Sequence, residues 1–411
     1  MATPTFLLTP SGYKAGTLYA PLPADGDGDM EMTRSAIATR VNQNGIIQDS
    51  AVDVPRIDYL YGGCPSCIFE EATTNLIDES EDFSSWNAGS ADVNTSSVVS
   101  PDGNTNAYRI QGDGTNASFF VSYFFTLPSA GRYTYSVFVK AANGTSIYIS
   151  IPGLDDNPIL GYNLSTGVLN DTDPDLDAAG VEDYGNGWYR VWGSGTTTTD
   201  LSGVFYIFGS PNGTTQIFPS NAAAAAASID IFGAQLEMQD RPHSYIKTTG
   251  SVVSSAADEF RLSNIGQFFG TNTGAVYFEF ADYPFRYESS NVNFLRIYDQ
   301  STSDYIGIRG KDTSFLGPQV SGFSSTGPLY STEPVVSSIR KVAFTWDGSD
   351  WKSKVNGQSE QTGAVTANFN PTIIGLTGGG YWTAGSLVRL KTLAFYDRKL
   401  TSNELDELTT L

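Results

Sequence analysis

This chain of 411 residues is poorest in histidine, cysteine and positive charge, and each shortage removes a class of chemistry. The sole histidine, His243, lies in Arg241-Pro242-His243-Ser244-Tyr245, and no G-x-S-x-G turn occurs. Acyl transfer by a serine–histidine–acid triad therefore lacks both its nucleophile turn and a convincing base. The two cysteines form Cys64-Pro65-Ser66-Cys67. A redox C-x-x-C opens a helix inside a βαβ unit, and no such unit is visible; a structural zinc needs four ligands, and His243 is the only other candidate nitrogen. Ordinary thiols, or a local disulfide in a turn, are the plainer reading. Lysine and arginine number 23 against 44 acids, for a net charge of −21. That balance repels a nucleic acid backbone and an anionic membrane surface. Long apolar runs are missing as well. The longest, Ala222 to Ala227, falls far short of the roughly 18 residues a membrane helix needs. Met1 to Tyr13 has no basic start, so no secretory signal is expected.

What the chain does have is 24 Phe, 22 Tyr, 6 Trp and 42 Gly. Aromatic and β-branched residues suit half-buried pleated strands, and Gly, Asn and Asp suit the turns between them. An all-β fold follows: an extended N-terminal leader, two β-sandwich (jelly-roll) domains and a short C-terminal helix. The leader covers residues 1–72, where Pro21, Pro23 and Asp25-Gly26-Asp27-Gly28-Asp29 break regular elements. Around the turn Asn42-Gln43-Asn44-Gly45, the segments Ile37 to Val41 and Ile46-Ile47 are expected to pair as a hairpin. So short a segment has little core and is expected to order on another chain.

The first sandwich spans 73–250. Arg132 to Lys140 alternates, with Tyr133, Tyr135, Val137 and Val139 on one face. Asn143-Gly144 and then Ser146 to Ile151 follow, and the pattern predicts a hairpin. The second sandwich spans 258–411, with strands around Val276 to Phe280, Lys341 to Trp346, Trp351 to Val355 and Leu387 to Tyr396. Trp346-Asp347-Gly348-Ser349-Asp350-Trp351 reads as a tight hairpin turn. Thr401 and Glu404 form a capping-box pair ahead of Leu405 and Leu408, which predicts the terminal helix.

Particular strings carry a resemblance. Arg34-Ser35-Ala36-Ile37-Ala38-Thr39-Arg40-Val41-Asn42, Gly45-Ile46-Ile47 and Pro55-Arg56-Ile57-Asp58-Tyr59 resemble the leader of bacteriophage head-spike and tail-fibre proteins. Cys64-Pro65-Ser66, Glu70, Thr74-Asn75-Leu76 and Ser80-Glu81-Asp82-Phe83 continue the likeness. The next module is similar to a carbohydrate-binding jelly roll through Ser100-Pro101-Asp102-Gly103, Phe138-Val139-Lys140-Ala141, Gly185-Asn186-Gly187-Trp188-Tyr189-Arg190 and Gly233-Ala234-Gln235-Leu236-Glu237. The last 150 residues or so resemble a concanavalin-like, laminin-G-type lectin sandwich, through Val342 to Trp346, Val355-Asn356-Gly357 and Phe395 to Thr401. That likeness speaks to fold more than to ligand.

The resemblance implies a virion protein displayed on the head or tail as a fibre or spike, assembled in the host cytoplasm and released by lysis. Its partners would be other virion proteins and host-surface carbohydrate, with no nucleic acid and no membrane insertion. A homo-oligomer is implied, a trimer by preference, which multiplies weak contacts by avidity. Virion attachment is assigned to Arg34, Arg40, Asn42, Arg56, Asp58 and Tyr59. Glycan contact is assigned to Trp188, Trp192, Tyr381 and Trp382, because aromatic faces stack on sugar rings. Strand alternation places Trp188 and Trp192 on one face and Tyr189 on the other, so part of this set must be packing. No catalytic residue is assigned and no enzyme is expected. The E-x-D-x-x-E strand of jelly-roll glycanases is absent, and Glu279 is the best isolated acid. No cofactor is required. Asp25, Asp27 and Asp29, and Asp171, Asp173, Asp175 and Asp177, are the candidates for weak Ca2+ binding, although Met30 and Ala36 break an EF-hand pattern. The rival readings are a polysaccharide depolymerase and a structural capsid decoration protein.

Overall fold

The computed structural model describes residues 2–61, 64–155, 157–170, 173–211, 213, 215–281, 292–298, 305–311, 315–321, 339–365, 369–376 and 387–410. Among the described residues the fold is nearly all antiparallel β, with two short α-helices. Among the described residues no helix is long and apolar enough to cross a membrane. The chain divides into two compact units.

The first unit comprises 1–40, 49–72 and 256–411. One of its sheets runs, in spatial order, through Gln361–Ala364, Asp350–Val355, Ile339–Trp346, Gly274–Ala281, Val388–Tyr396, Ser66–Phe69 and Arg56–Asp58. Phe6–Leu8 also pairs with Val388–Tyr396. The facing sheet joins Tyr13–Lys14, Thr17–Leu18 and Met30–Thr33 to Glu259–Ser263, Ile373–Leu376 and three further strands. Residues of the leader are therefore strands of this sandwich. Phe6, Leu8, Leu18, Met30, Met32, Ile57 and Phe69 lie in one buried cluster with Phe278, Trp346, Leu390 and Phe395. The expected dependence on another chain gives way because alternate positions such as Met30 and Met32 supply the apolar face that a sheet needs.

Two local expectations hold in this unit. Trp346 and Trp351 are paired partners across the turn of a hairpin. Helix Ser402–Thr409 starts with a full capping box: Thr401 accepts from the Glu404 N–H while Glu404 accepts from the Thr401 N–H. Leu405 packs with Leu400, Tyr277 and Tyr396, on a face that the helix closes.

The second unit comprises 41–48 and 73–255 and is a sandwich of two six-stranded sheets. One sheet orders Asn87–Gly89, Phe120–Thr126, Ser202–Ser210, Ser146–Ser150, Ile159–Asn163 and Val168–Asn170. The other orders Ala91–Thr95, Tyr108–Gly112, Ser228–Glu237, Gly131–Ala141, Trp188–Thr197 and Ala178–Gly185. The core between them holds Tyr133, Tyr135, Val137 and Val139 with Ile147, Ile149, Phe205, Ile207, Ile229 and Leu236. The hairpin predicted for Arg132 to Ile151 is corrected here. Gly131–Ala141 pairs with Trp188–Thr197 and Ser228–Glu237, whereas Ser146–Ser150 pairs with Ile159–Asn163 and Ser202–Ser210. Both strands alternate apolar residues inward, and two such faces bury more by meeting across a core than side by side. The hairpin expected in the leader is present as Ala38–Val41 with Ile47–Ser50. Asn42 shapes its turn by accepting from the Asn44 and Ile46 N–H groups.

Candidate functional site

Of the assigned attachment residues, Arg34, Arg56 and Asp58 are buried in the first unit, Arg40 and Tyr59 are half-buried there, and Asn42 is a half-buried turn residue of the second. Arg34 is buried and donates to Asp258 at 2.9 Å and to the carbonyls of Ala36 and Val54. Arg56 is buried between Glu70, at 2.7 Å, and Asp258. Asp58 is buried against Arg389 at 2.8 Å, and Arg40 donates to the Ile57 carbonyl. Tyr59 packs on the core. Buried guanidiniums need this many acceptors, since an unpaired buried charge costs several kcal/mol. The R-S, P-R-x-D-Y and Glu70 strings are thus the signature of an ion network that holds a sandwich. Cys67 is buried and Cys64 exposed, both as free thiols, and burial pushes the Cys67 thiol up and out of reach of reaction.

The assigned glycan residues fare similarly. Trp188 and Trp192 are each 2% exposed, so neither ring is offered to a ligand. Trp188 donates its indole N–H to the Val99 carbonyl at 2.8 Å, and the Trp192 ring lies flat on Gly180, where a Cβ would come within 2.7 Å. Both stand on the outer face of their sheet, which other parts of the unit cover. Tyr381 and Trp382 lie outside the described residues.

A strap of residues 239–248 runs over that same face. Arg190 donates to the His243 carbonyl at 2.6 Å and to Ser136, the Ile246 N–H donates to Gln235, and Thr134 donates to the Gln239 carbonyl. Glu237 gathers Thr73, Gln235 and the His243 N–H. His243 is therefore a buried strap residue beside Glu237. Gly233, at φ +55°, makes the bulge that admits Tyr245 and Phe138 around it.

Elsewhere, Glu279 accepts from Tyr277 at 2.9 Å. Burial first, and Glu279 second, hold that phenol well above its ordinary value, which is opposite to activating a nucleophile. Asp29 accepts from the Ala20 N–H, Asp25 from Asp27 and Asp173 from Asp175, so these carboxylates shape turns. Asp171 lies outside the described residues. Among the described residues no three acid, thiol or imidazole side chains converge as metal ligands.

The other sheet of the second unit is the exception to every pattern above. Its six strands contain no Asp, Glu, Lys, Arg or His. Val121, Phe125, Phe205, Ile207, Ile147 and Ile149 point into the core, so alternation puts Phe120, Ser122, Phe124, Tyr206, Phe208, Tyr148 and Ser150 on the outside. An antiparallel sheet with a solvated face ordinarily turns polar residues outward. Here cross-strand register aligns Gly89, Phe120, Phe208, Tyr148 and Gly161 in one row, and Asn87, Ser122, Tyr206 and Ser150 in the next. Phe124 and Val204 follow.

The rings touch: Phe120 and Phe208 lie 5.0 Å apart, Phe208 and Tyr148 5.5 Å, and Phe120 and Tyr206 5.1 Å. Phe208 and Tyr148 form the buried floor, Phe120 and Tyr206 are half-buried, and Phe124 is 65% exposed. Phe120 lies over Gly89, where any Cβ would enter its ring. Burial first, and Asp173 second, raise the Tyr148 phenol, so it stays protonated. The result is an aromatic floor bordered by hydroxyls and amides, apolar over most of its area with a few polar groups to orient a ligand. Sequence reasoning passed over these residues by following tryptophan. The signal was the run Phe120-Val121-Ser122-Tyr123-Phe124-Phe125, aromatic on both strand faces.

No family model matches the chain and no curated protein matches it. Among solved structures, the CBM40 of a Ruminococcus gnavus IT-sialidase, bound to α2,3-sialyllactose, is similar at 14% identity. It covers 34% of this chain and 84% of its own, with a TM-score of 0.26. A Trypanosoma rangeli sialidase is similar at 10% identity over 93% of this chain and 77% of its own, with a TM-score of 0.29. The LG1-3 region of the laminin α2 chain is similar at 9% identity over 66% of this chain and 63% of its own, with a TM-score of 0.25. With a sialidase matched along 93% of this chain, the expectation that the chain is not an enzyme is withdrawn. At such scores none of these likenesses assigns a ligand or a reaction.

Proposed function

We propose that this chain is a virion surface protein that binds host-surface glycans through the uncharged sheet of its second unit. The observation that carries the binding reading is the outward row Phe120, Phe208 and Tyr148 with Tyr206 beside it, on a sheet without a charged residue. Sugar rings present C–H faces that lie on aromatic faces, while their hydroxyls exchange hydrogen bonds with groups such as the exposed Asn87 amide and the Tyr206 phenol. An open apolar patch of this kind on a soluble protein marks a contact site. The virion assignment rests on the ordered strings from Arg34 to Phe83 and their resemblance to head-spike and tail-fibre proteins. An oligomer, with a trimer favoured, would raise the avidity of shallow sites.

The test is binding of the purified full chain to immobilised host-surface polysaccharide, alongside Phe120→Ala and Tyr206→Ala. Loss of about 1.4 kcal/mol of contact weakens each variant about tenfold. Equal retention by the wild type and both variants overturns this site, and absence of retention by the wild type overturns the binding reading.

A further inference from the structure

The same face restricts what kind of glycan it can take, an inference that rests on the binding reading above. The second unit contains six basic residues, Arg109, Arg132, Lys140, Arg190, Arg241 and Lys247. Four stand on strands of the opposite sheet and the other two in the 240–248 segment that straps it. All six are engaged. Arg109 is bonded to Asp230, Arg132 to Asp177, Arg190 to Ser136 and the His243 carbonyl, and Lys140 to the Asn186 carbonyl. Arg241 is buried beside Asp240, and Lys247 is bonded to Glu81. The charge that does reach the aromatic row is negative, from Asp173 towards Tyr148.

Recognition of a carboxylate or sulfate ordinarily uses a guanidinium fork or an ammonium, because a desolvated anion needs a compensating donor of opposite charge. The uncharged sheet offers only hydroxyls, amides and rings, on a unit that is strongly acidic overall. We infer that this face takes neutral glycans and discriminates against those bearing sialic or uronic acids. A neutral pyranose loses no ionic hydration when it settles on the rings. An anionic sugar would give up that hydration without a replacement and be repelled at longer range.

The experiment titrates the full-length chain with two panels by calorimetry. The neutral panel is cellohexaose, maltoheptaose and a linear galactan fragment; the anionic panel is α2,3-sialyllactose and a trigalacturonate. The expected result is binding within the neutral panel, unchanged between about 0.05 and 0.5 M salt, with the anionic sugars at least about tenfold weaker. Phe124→Ser, at the exposed end of the cluster, reduces binding without loss of folding, and it covers the case in which Phe120→Ala fails to fold. Preferred binding of an anionic sugar, abolished by Phe124→Ser, overturns the inference while leaving the glycan site standing. If neither panel binds and the chain instead forms a dimer that Phe124→Ser dissolves, the face is a contact between copies and both readings fall.

Discussion

The two sheets of the second unit began from the same alternation and finished their outer faces in opposite ways. One carries Arg190, Glu182, Gln235 and Glu237 outward and then covers them with its own strap, so that Arg190, the Gln235 amide and the His243 and Ile246 N–H groups are each directed at an acceptor. The other carries Phe120, Tyr206 and Phe124 outward and leaves them reachable. Polarity of side chain is thus a poor guide to exposure here: the charged face is interior and the aromatic face meets solvent. Burying a charged face requires a complete set of partners, which makes it structural; leaving an aromatic face open costs hydration, which a ligand can recover.

The sharpest way to break this contrast is to remove the acceptor under the strap. Glu237→Leu strands Thr73, Gln235 and the His243 N–H beside a buried guanidinium, and should lower stability by about 3 kcal/mol or more in denaturant titration. A shift under about 0.5 kcal/mol, the range of ordinary surface substitutions, would show that the strap is not structural.

A smaller effect is expected on the open face. Gly89→Val drives a side chain into the space of the Phe120 ring at an edge strand. Glycan affinity should fall about tenfold for a stability change of about 1 kcal/mol. Unchanged affinity would remove Phe120 from the contact.

The smallest effect concerns pH. The uncharged sheet has no titrating group between pH 5 and 8, so binding should be flat there. The terminal helix of the first unit behaves differently. Arg398 first, with the Thr401 N–H, lowers the Glu404 carboxyl from its ordinary 4.5 to about 2. A depressed acid contributes stability that is full above its unfolded value and is lost as pH falls through its folded one. The helix should therefore loosen between pH 4.5 and 2, a change that Glu404→Gln abolishes when followed by far-ultraviolet circular dichroism.

Much of the fold was readable before the structure. The strand at Arg132 to Lys140, the Trp346–Trp351 turn and the Thr401–Glu404 cap each depend on neighbours within a few residues, and each stands where the pattern put it. Pairing was less readable, because alternation says which way a side chain points and not which sheet receives the strand. That is how Ser146–Ser150 came to be placed beside Gly131–Ala141 instead of across the core from it. The leader misled for a related reason: six short strands look coreless until Phe278 and Phe395, more than 200 residues away, complete their packing. The site was least readable. Trp188 and Trp192 were sound choices by side-chain chemistry, but the alternation of a strand cannot tell an open outer face from a covered one.

By itself, then, the sequence determined that this protein is built of strands and where most of them run. Those properties are local, set by period, turn chemistry and composition. Only the tertiary structure decided that Arg34 and Arg56 of the attachment-like strings are buried in a network around Asp258, that Trp188 and Trp192 are covered, and that Phe120, Tyr206 and Phe124 are not. Exposure depends on what else folds over a face, and that is settled by contacts between residues far apart in the chain.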